Sequence, residues 1–389
     1  MPLDVSFSTR LTNILWFTNA FITAGKDAVA ARNAAKELEE EILHNAGSLD
    51  EYEEICSSTL AEVGVSGSLP EEPADHPEEA QILNVEGPSY GGYQYATYHA
   101  DGQFSTIFKA QAKDESAAVQ IVALKVTRPA MTSPPHNPER EARLLTEAKH
   151  QHVLPLIETI RESGGVFVLV LPFLTQDLEN LLRSGRLDKG QVRMVFLGLF
   201  RALTHIHSLG IIHRDVKPAN ILLKTMNGPV YLADFGIAWS PQDRDSEPAN
   251  LKITDVGTAC YRPPELLFGH KAYDTSLDMW AAGCVVAELL KDGHHPLFDA
   301  GPLGSELSLI KSIFSTLGTP NDDSWPSAHT YPDWGKMRFK DFPPQPWQDL
   351  LPGVSDAGIS FVESTVCYES SHRLTAGEVL HSKKPVRTY

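Results

Sequence analysis

The chain has 389 residues, a net charge of −17 and a hydrophobic fraction of 42%; apart from the acidity these values are ordinary for a soluble globular protein. It contains no run of about 18 apolar residues, so no transmembrane helix is predicted. The most apolar N-terminal segment, residues 11–22, is interrupted by polar side chains and follows little positive charge. It predicts an amphipathic helix, with a signal peptide as the less favoured alternative.

The acidity is concentrated near the N-terminus. Fifteen acidic residues and no lysine or arginine lie between Glu37 and Glu86. This run would repel phosphate groups, so we expect no nucleic-acid partner, and without a spanning segment we expect no membrane partner. It is interpreted as a solvated face, and binding of a basic partner is the alternative.

The four cysteines, at 56, 260, 284 and 367, are far apart and lack the spacing of a metal or redox motif. Isolated thiols in a chain of this length are typical of a reducing compartment. We therefore expect a cytoplasmic or nuclear location.

In chain order, an alanine- and glutamate-rich segment at 26–44 predicts a helix, and a shorter helix is predicted near 49–62. The segment 64–80, rich in proline, glycine and glutamate, predicts a linker. Strands are then predicted at 95–98, 104–110, 118–127 and 166–171, and a helix at 138–149. After residue 175 the pattern is mainly helical. A strand-rich part followed by a helix-rich part indicates an α+β protein with two unlike lobes.

The strongest chemical signal is the sequence HRDVKPAN at 213–220, followed by DFG at 234–236. Phosphoryl transfer needs a carboxylate that accepts the proton of the attacking hydroxyl, oxygen ligands for magnesium, and a cation near the phosphates. Asp215 fits the first role, and Asn220 and Asp234 fit the second. Lys217, two residues after Asp215, can reach the transferring phosphate.

These two motifs match the catalytic and magnesium-binding loops of protein kinases at every polar position, and residues 90–382 resemble that family. The resemblance implies a two-lobed kinase fold and transfer of phosphate from ATP, with magnesium, to protein serine or threonine. The composition predicts a helical acidic extension over 1–63 and a linker over 64–86, and the resemblance implies a kinase domain over 87–389. The small lobe would span about 87–174 and the large lobe about 175–389.

The resemblance also implies the nucleotide contacts. The sequence IVALK at 121–125 is similar to the third kinase strand, whose lysine, Lys125, reaches the α- and β-phosphates and pairs with a glutamate, here Glu141. Asp177 matches the ribose contact. The remaining expected contacts are Gly102, Ala123, Pro172, Leu174 and Leu222. The resemblance implies two structural features as well. Glu265 should pair with Arg373, and the helix around Asp278 should anchor the catalytic loop.

Within the family, the hinge QDL at 176–178, the LGTP sequence at 317–320 and Arg262 after Tyr261 look like the cyclin-dependent kinases. Lys217 is typical of serine/threonine kinases, and Arg262 favours substrates with proline after the phosphoacceptor. A narrower resemblance is to fungal monomeric kinases that phosphorylate other cyclin-dependent kinases. Whether a cyclin-like partner is needed stays open.

Departures from the family pattern accompany these matches. Of the three glycines in the phosphate loop only Gly102 is kept, so weaker nucleotide binding is expected. Ile253 occupies the position that aligns with the family's activating threonine, and Thr254 follows it by one residue. Trp239 replaces one arginine of the pocket that binds the phosphate of that threonine. We therefore expect activity without activating phosphorylation, with acidic residues as candidate substitutes for the phosphate: Asp243, Asp245, Glu247 and Asp255.

Two alternatives remain from the sequence. A pseudokinase would bind nucleotide or a partner without transferring phosphate, and only the degenerate glycine loop favours it. A metabolite kinase is disfavoured by the peptide-selecting segment at 257–265.

Overall fold

The structure of the protein is a computed structural model. It describes residues 28–48, 87–112, 121–185, 187–301 and 304–381, together with short pieces at 10, 13–14, 17–18, 20–21, 51–52, 55–56 and 58–59. The predicted linker at 64–80 lies outside the described residues. The chain divides into two compact units, Met1–Gln81 and Ile82–Tyr389.

The N-terminal unit contains helix α1, Ala28–Asn45, where a helix was predicted. The described residues at 51–52, 55–56 and 58–59 are also helical, within the second predicted helix. Glu39 is fully buried and accepts hydrogen bonds from Arg10 Nε at 2.9 Å and from the Tyr52 hydroxyl at 2.8 Å. These partners compensate the buried carboxylate inside a small apolar core.

The second unit, Ile82–Tyr389, begins with a five-stranded antiparallel sheet in the order β1-β2-β3-β5-β4. Its strands are β1 Tyr93–Asp101, β2 Ser105–Ala112, β3 Ile121–Thr127, β4 Glu158–Glu162 and β5 Val166–Pro172. The strands predicted at 95–98, 104–110 and 166–171 are confirmed with small shifts of their ends. The strand predicted at 118–127 is confirmed from residue 121, and residues 118–120 lie outside the described residues. Strand β4, sequence ETIRE, was not predicted because its exposed charged residues hide the apolar alternation.

Helix α2, Pro138–Glu147, lies between β3 and β4 in the chain. It begins where proline occupies the first turn and where Asn137 caps the helix, accepting a hydrogen bond from the Arg140 backbone N–H at 2.9 Å. The predicted helix at 138–149 is confirmed, ending two residues earlier.

The rest of the unit is mainly helical, as predicted. Its helices are α3 Leu178–Ser184, α4 Lys189–Ser208, α5 Pro264–Leu267, α6 Ser276–Leu290, α7 Glu306–Leu317, α8 Trp347–Leu350, α9 Asp356–Thr365 and α10 Ala376–His381. A three-stranded sheet comprises β6 Gln176–Asp177, β7 Ile221–Leu223 and β8 Val230–Leu232. These strands of two or three residues are too short to give a periodic signal. The α+β fold class is therefore confirmed, and no described helix is both long and apolar enough to cross a bilayer.

The fold fixes the 213–220 loop on helix α6. Asp278 is fully buried and accepts the backbone N–H groups of His213 and Arg214 at 2.8 and 2.9 Å. It also contacts His207 Nε2 at 2.9 Å. The buried ring of Phe235 packs edge-on against His213, with ring centroids 4.8 Å apart. The predicted role of the α6 helix as the anchor of this loop is confirmed.

A second anchor is the ion pair between Arg373 and Glu265, which confirms the predicted pairing. Two hydrogen bonds of 2.6 and 2.7 Å join the guanidinium to the carboxylate, and both side chains are buried. Arg373 also donates to backbone oxygens of Cys367, Tyr368 and Ser276. Removing one partner would leave an uncompensated buried charge.

We predict that Arg373→Ala lowers the free energy of unfolding by about 3–5 kcal/mol, because Glu265 loses its buried counter-ion. Equilibrium unfolding in urea measures this. The control is Arg183→Ala, whose pair with Glu179 is exposed, and whose loss should cost less than about 1 kcal/mol. Equal effects of the two substitutions would contradict the assigned difference.

Candidate active site

Lys125 is held between two carboxylates. It lies on β3, where the alternate residues Val122 and Leu124 are buried in the sheet core, so Lys125 projects from the opposite face. Its Nζ is 2.7 and 2.8 Å from the two oxygens of Glu141 on α2, and 2.7 Å from Asp234 Oδ1. The structure therefore brings together three predicted site residues from three separate segments.

The protonation states in this cluster follow from the competition between burial and charge. Burial alone would lower the pKa of Lys125, but Asp234 and Glu141 raise it above its ordinary value. Burial would raise the pKa of Asp234, but the Lys125 ammonium holds it below the usual range. Burial raises the pKa of Glu141, even with Lys125 opposing it. Lys125 and Asp234 are therefore both charged at neutral pH.

A cavity of about 80 Å³ adjoins this cluster. It is lined by the β1–β2 turn, by His136 and by the three members of the Lys125 cluster. In the turn, the Gly102 N–H donates to the Ser105 carbonyl at 2.7 Å, and a β-carbon at 102 would come within 2.8 Å of Ser105 Oγ. A backbone hydrogen bond closes this turn, and a side chain at 102 would have to displace the Ser105 hydroxyl.

Asp215 is surrounded by donors. Its Oδ1 accepts the Thr258 hydroxyl at 2.8 Å and the Thr258 backbone N–H at 3.0 Å. Its Oδ2 is 2.9 Å from Lys217 Nζ and accepts from Asn220 Nδ2 at 3.0 Å. Lys217 in turn donates to the Thr258 hydroxyl at 2.9 Å. Three predicted site residues therefore meet at one carboxylate, and Thr258 joins them.

The side-chain oxygens of Asn220 and Asp234 suit a magnesium ion. Asn220 Nδ2 also donates to the Asp215 backbone oxygen at 2.8 Å, and its Oδ1 makes no hydrogen bond with the described residues. The Asp234 side chain is 47% exposed, with one oxygen on Lys125. An amide oxygen and a carboxylate with free lone pairs are the hard oxygen ligands that magnesium prefers.

Four of the five predicted adenine and ribose contacts lie on strands β3, β5, β6 and β7, and Leu174 lies between β5 and β6. Ala123 is opposite Leu171 in the β3–β5 ladder, and Pro172 ends β5. Leu222 is opposite Asp177 in the β6–β7 ladder, while Leu174 packs against the large core. None of these five lines the 80 Å³ cavity, in contrast to Gly102 and the Lys125 cluster.

Asp177 has a second role that sequence reasoning missed. Its carboxylate caps α3, accepting the Asn180 backbone N–H at 2.8 Å and the Asn180 side-chain amide at 2.6 Å. Thr258 and His136 were also not singled out as site residues. Thr258 lies four residues before Arg262, and His136 directly precedes the cap of α2, so each carries only a weak positional signal. The His136 ring packs on Phe104, with centroids 4.7 Å apart.

Comparisons with known proteins agree with this geometry. The protein kinase domain family matches residues 100–383. Serine/threonine-protein kinase csk1 of Schizosaccharomyces pombe is 37% identical over 269 residues, covering 68% of this chain and 85% of that protein. Cyclin-dependent kinase 7 of Xenopus laevis is 32% identical over 295 residues, covering 75% and 80%. Cyclin-dependent kinase 20 of Homo sapiens is 32% identical over 286 residues, covering 72% and 79%.

The family match spans well over half of the chain, and the similar proteins are named as serine/threonine or cyclin-dependent kinases. The resemblance stated from the motifs is thereby confirmed. The chain belongs to the protein kinase family, in its cyclin-dependent-kinase-like serine/threonine branch.

Proposed function

We propose that Asp215 is the catalytic base of this kinase, that Asn220 and Asp234 hold magnesium, and that Lys125 binds the ATP phosphates. The observation that carries this is the set of contacts around Asp215: Thr258, Lys217 and Asn220 fix the carboxylate from both oxygens. A carboxylate held in this way is oriented before a substrate arrives.

In the proposed reaction, a serine or threonine hydroxyl gives its proton to Asp215 while its oxygen bonds to the γ-phosphorus of ATP. The bond from the γ-phosphorus to the bridging oxygen breaks, so that ADP and a phosphoester form. Lys217, 2.9 Å from both Asp215 and Thr258, lies where it can neutralise charge on the transferring group. Magnesium, when bound, would neutralise charge on the phosphates.

A preference for proline after the phosphoacceptor is supported by Arg262. Its Nε donates to the Gly257 carbonyl at 2.8 Å, and Gly257 has a left-handed φ of +79°. A carbonyl that already accepts from Arg262 is less available to the backbone N–H of a bound peptide. Proline has no N–H to leave unsatisfied, so it is the residue best suited to follow the acceptor.

The narrower role we propose is phosphorylation of other cyclin-dependent kinases. It is supported by the degenerate glycine loop and by Ile253 at the family's threonine position, which are features of the fungal monomeric resemblance. The fungal csk1 protein is 37% identical to this chain. A cytoplasmic or nuclear location is proposed with it, supported by Cys260, Cys284 and Cys367, which form no disulfide with the described residues.

The test is transfer of radiolabelled phosphate from MgATP, without added cyclin, to serine- and threonine-proline peptides and to inactive cyclin-dependent kinases. Asp215→Asn is the blank. We expect label on both substrate classes, lost in the blank. ATP binding without transfer would favour the pseudokinase alternative, and transfer undiminished in the blank would contradict the assignment of Asp215.

We predict that Thr258→Val lowers kcat about 10- to 100-fold, because Asp215 loses a charge-assisted hydrogen bond. The ATP dissociation constant should not change, since Thr258 does not line the cavity beside Lys125. The control is Thr254→Val, whose hydroxyl makes no hydrogen bond with the described residues. Steady-state kinetics and calorimetry measure both quantities; equal kcat for the two variants would refute the role of Thr258.

We predict that Arg262→Gln lowers the ratio of kcat/KM for serine-proline over serine-alanine peptides about 3- to 10-fold, because the Gly257 carbonyl becomes free to accept an N–H. Lys336→Gln, which removes an exposed pair with Asp333, is the control. An unchanged ratio, with both peptides slowed together, would count against a role for Arg262 in proline selection.

A further inference from the structure

Glu247 contacts two arginines that come from opposite sides of the active site. Its Oε1 accepts a hydrogen bond from Arg214 Nη1 at 3.2 Å, and its Oε2 makes an ionic contact, without a hydrogen bond, with Arg140 Nη1 at 3.9 Å. Arg140 lies on α2, directly before Glu141, and Arg214 lies in the loop directly before Asp215. One carboxylate therefore joins the element that carries the Lys125 partner to the element that carries the proposed base.

The two guanidinium groups need an anion. Both are almost completely buried, with 3% and 0% of their side chains exposed. Burial lowers the pKa of Arg140, and repulsion from Arg214 lowers it further. Two like charges at this depth would oppose the approach of α2 to the loop unless a negative group neutralised them. Glu247 is 15% exposed and supplies that charge.

Hydrogen bonds and ion pairs also hold the segment around Glu247. Trp239, which stands where the family pattern has a third arginine, donates its indole N–H to the Glu247 carbonyl at 2.8 Å. Arg140 Nη1 donates to the Asp245 carbonyl at 3.2 Å. Arg143, one turn along α2, binds Asp243 at 2.6 Å and Asp245 at 2.5 Å. The segment 243–247 is thus held to α2 by both its backbone and its acidic side chains.

The other residues considered as substitutes for the activating phosphate, and Thr254, make different contacts. Asp255 is bound to Arg262 at 2.7 Å and its side chain is 86% exposed, so it does not serve the arginine pair. The Thr254 hydroxyl makes no hydrogen bond with the described residues. Of the four acidic residues considered from the sequence, Glu247 alone contacts both Arg140 and Arg214, while Asp243 and Asp245 support its segment through Arg143.

We propose that Glu247 is a positioning residue for phosphoryl transfer: its carboxylate joins Arg140 to Arg214 and replaces the phosphate of an activating phosphothreonine. The inference rests on the proposed function, since it assigns how that site is kept in order. Its consequence is a kinase whose α2 helix and catalytic loop are aligned by the chain's own sequence, so that a second kinase is not required to switch it on.

The experiment compares the full chain with Glu247→Gln, which keeps shape and removes charge, and with Glu247→Ala, which opens space beside the arginines. Glu363→Gln, an exposed residue on α9, is the matched control, and Thr254→Ala removes the nearby threonine. Intact mass establishes that each protein is unphosphorylated. Peptide kinetics give kcat and KM, and thermal unfolding reports whether each variant is folded.

We expect kcat of Glu247→Gln to fall about 10- to 100-fold while Glu363→Gln and Thr254→Ala stay within about twofold. Formate should restore part of the activity of Glu247→Ala, and of no other variant, because this substitution alone opens a space for a small anion beside Arg140 Nη1 and Arg214 Nη1. Rescue by a small anion distinguishes positioning from general loss of stability.

Unphosphorylated Glu247→Gln with more than half of the wild-type kcat would overturn the inference, and so would Glu247→Ala that is folded, slow and insensitive to formate. Inactive wild-type protein in the same assay would instead contradict the proposed function. The two failures are therefore distinguishable in one set of samples.

Discussion

The charge of Lys125 is the constraint on which the active site depends. Its ammonium lies within 2.8 Å of carboxylates from α2 and from the DFG segment, and burial makes the charges of Lys125 and Glu141 unfavourable alone. These contacts hold the β3 strand, the α2 helix and the loop at Asp234 together. The cavity beside them is lined by Lys125 and Asp234, whose opposite charges each favour the ionised form of the other.

Charged side chains at the other sites of this unit are also held by compensating partners. Asp215 is held by Thr258, Lys217 and Asn220, while Asp278 holds the backbone of the loop from beneath. Glu265 and Arg373 neutralise each other in the core. Glu265 and Asp278 have partners distant in sequence, so their contacts fix the tertiary arrangement, whereas Asp215 is held by its own loop and by the distant Thr258.

Much of the fold and site could be predicted from the sequence, because the motifs resemble those of protein kinases and the resemblance implies which polar residues meet. The HRD and DFG motifs, and a lysine followed by a glutamate, identified the residues that meet near Lys125 and Asp215. The strand β4 and the small sheet could not be predicted, since exposed charges or short length removed the periodic signal. Thr258 and the choice of Glu247 among four acids depend on contacts between distant segments, which periodicity does not encode. The capping role of Asp177 is local, through Asn180 three residues later, and was missed because the resemblance implied only a ribose contact for this residue.

The most direct test of this account is whether phosphate binding and proton acceptance belong to different carboxylates. MgATP binding by calorimetry and single-turnover transfer to a peptide should be measured in parallel for wild type, Asp215→Asn and Asp234→Asn. The account predicts that Asp215→Asn binds MgATP within about twofold of wild type but transfers phosphate at least about 10³-fold more slowly, whereas Asp234→Asn loses magnesium-dependent binding. Substantial transfer by Asp215→Asn, or undiminished magnesium dependence in Asp234→Asn, would contradict it.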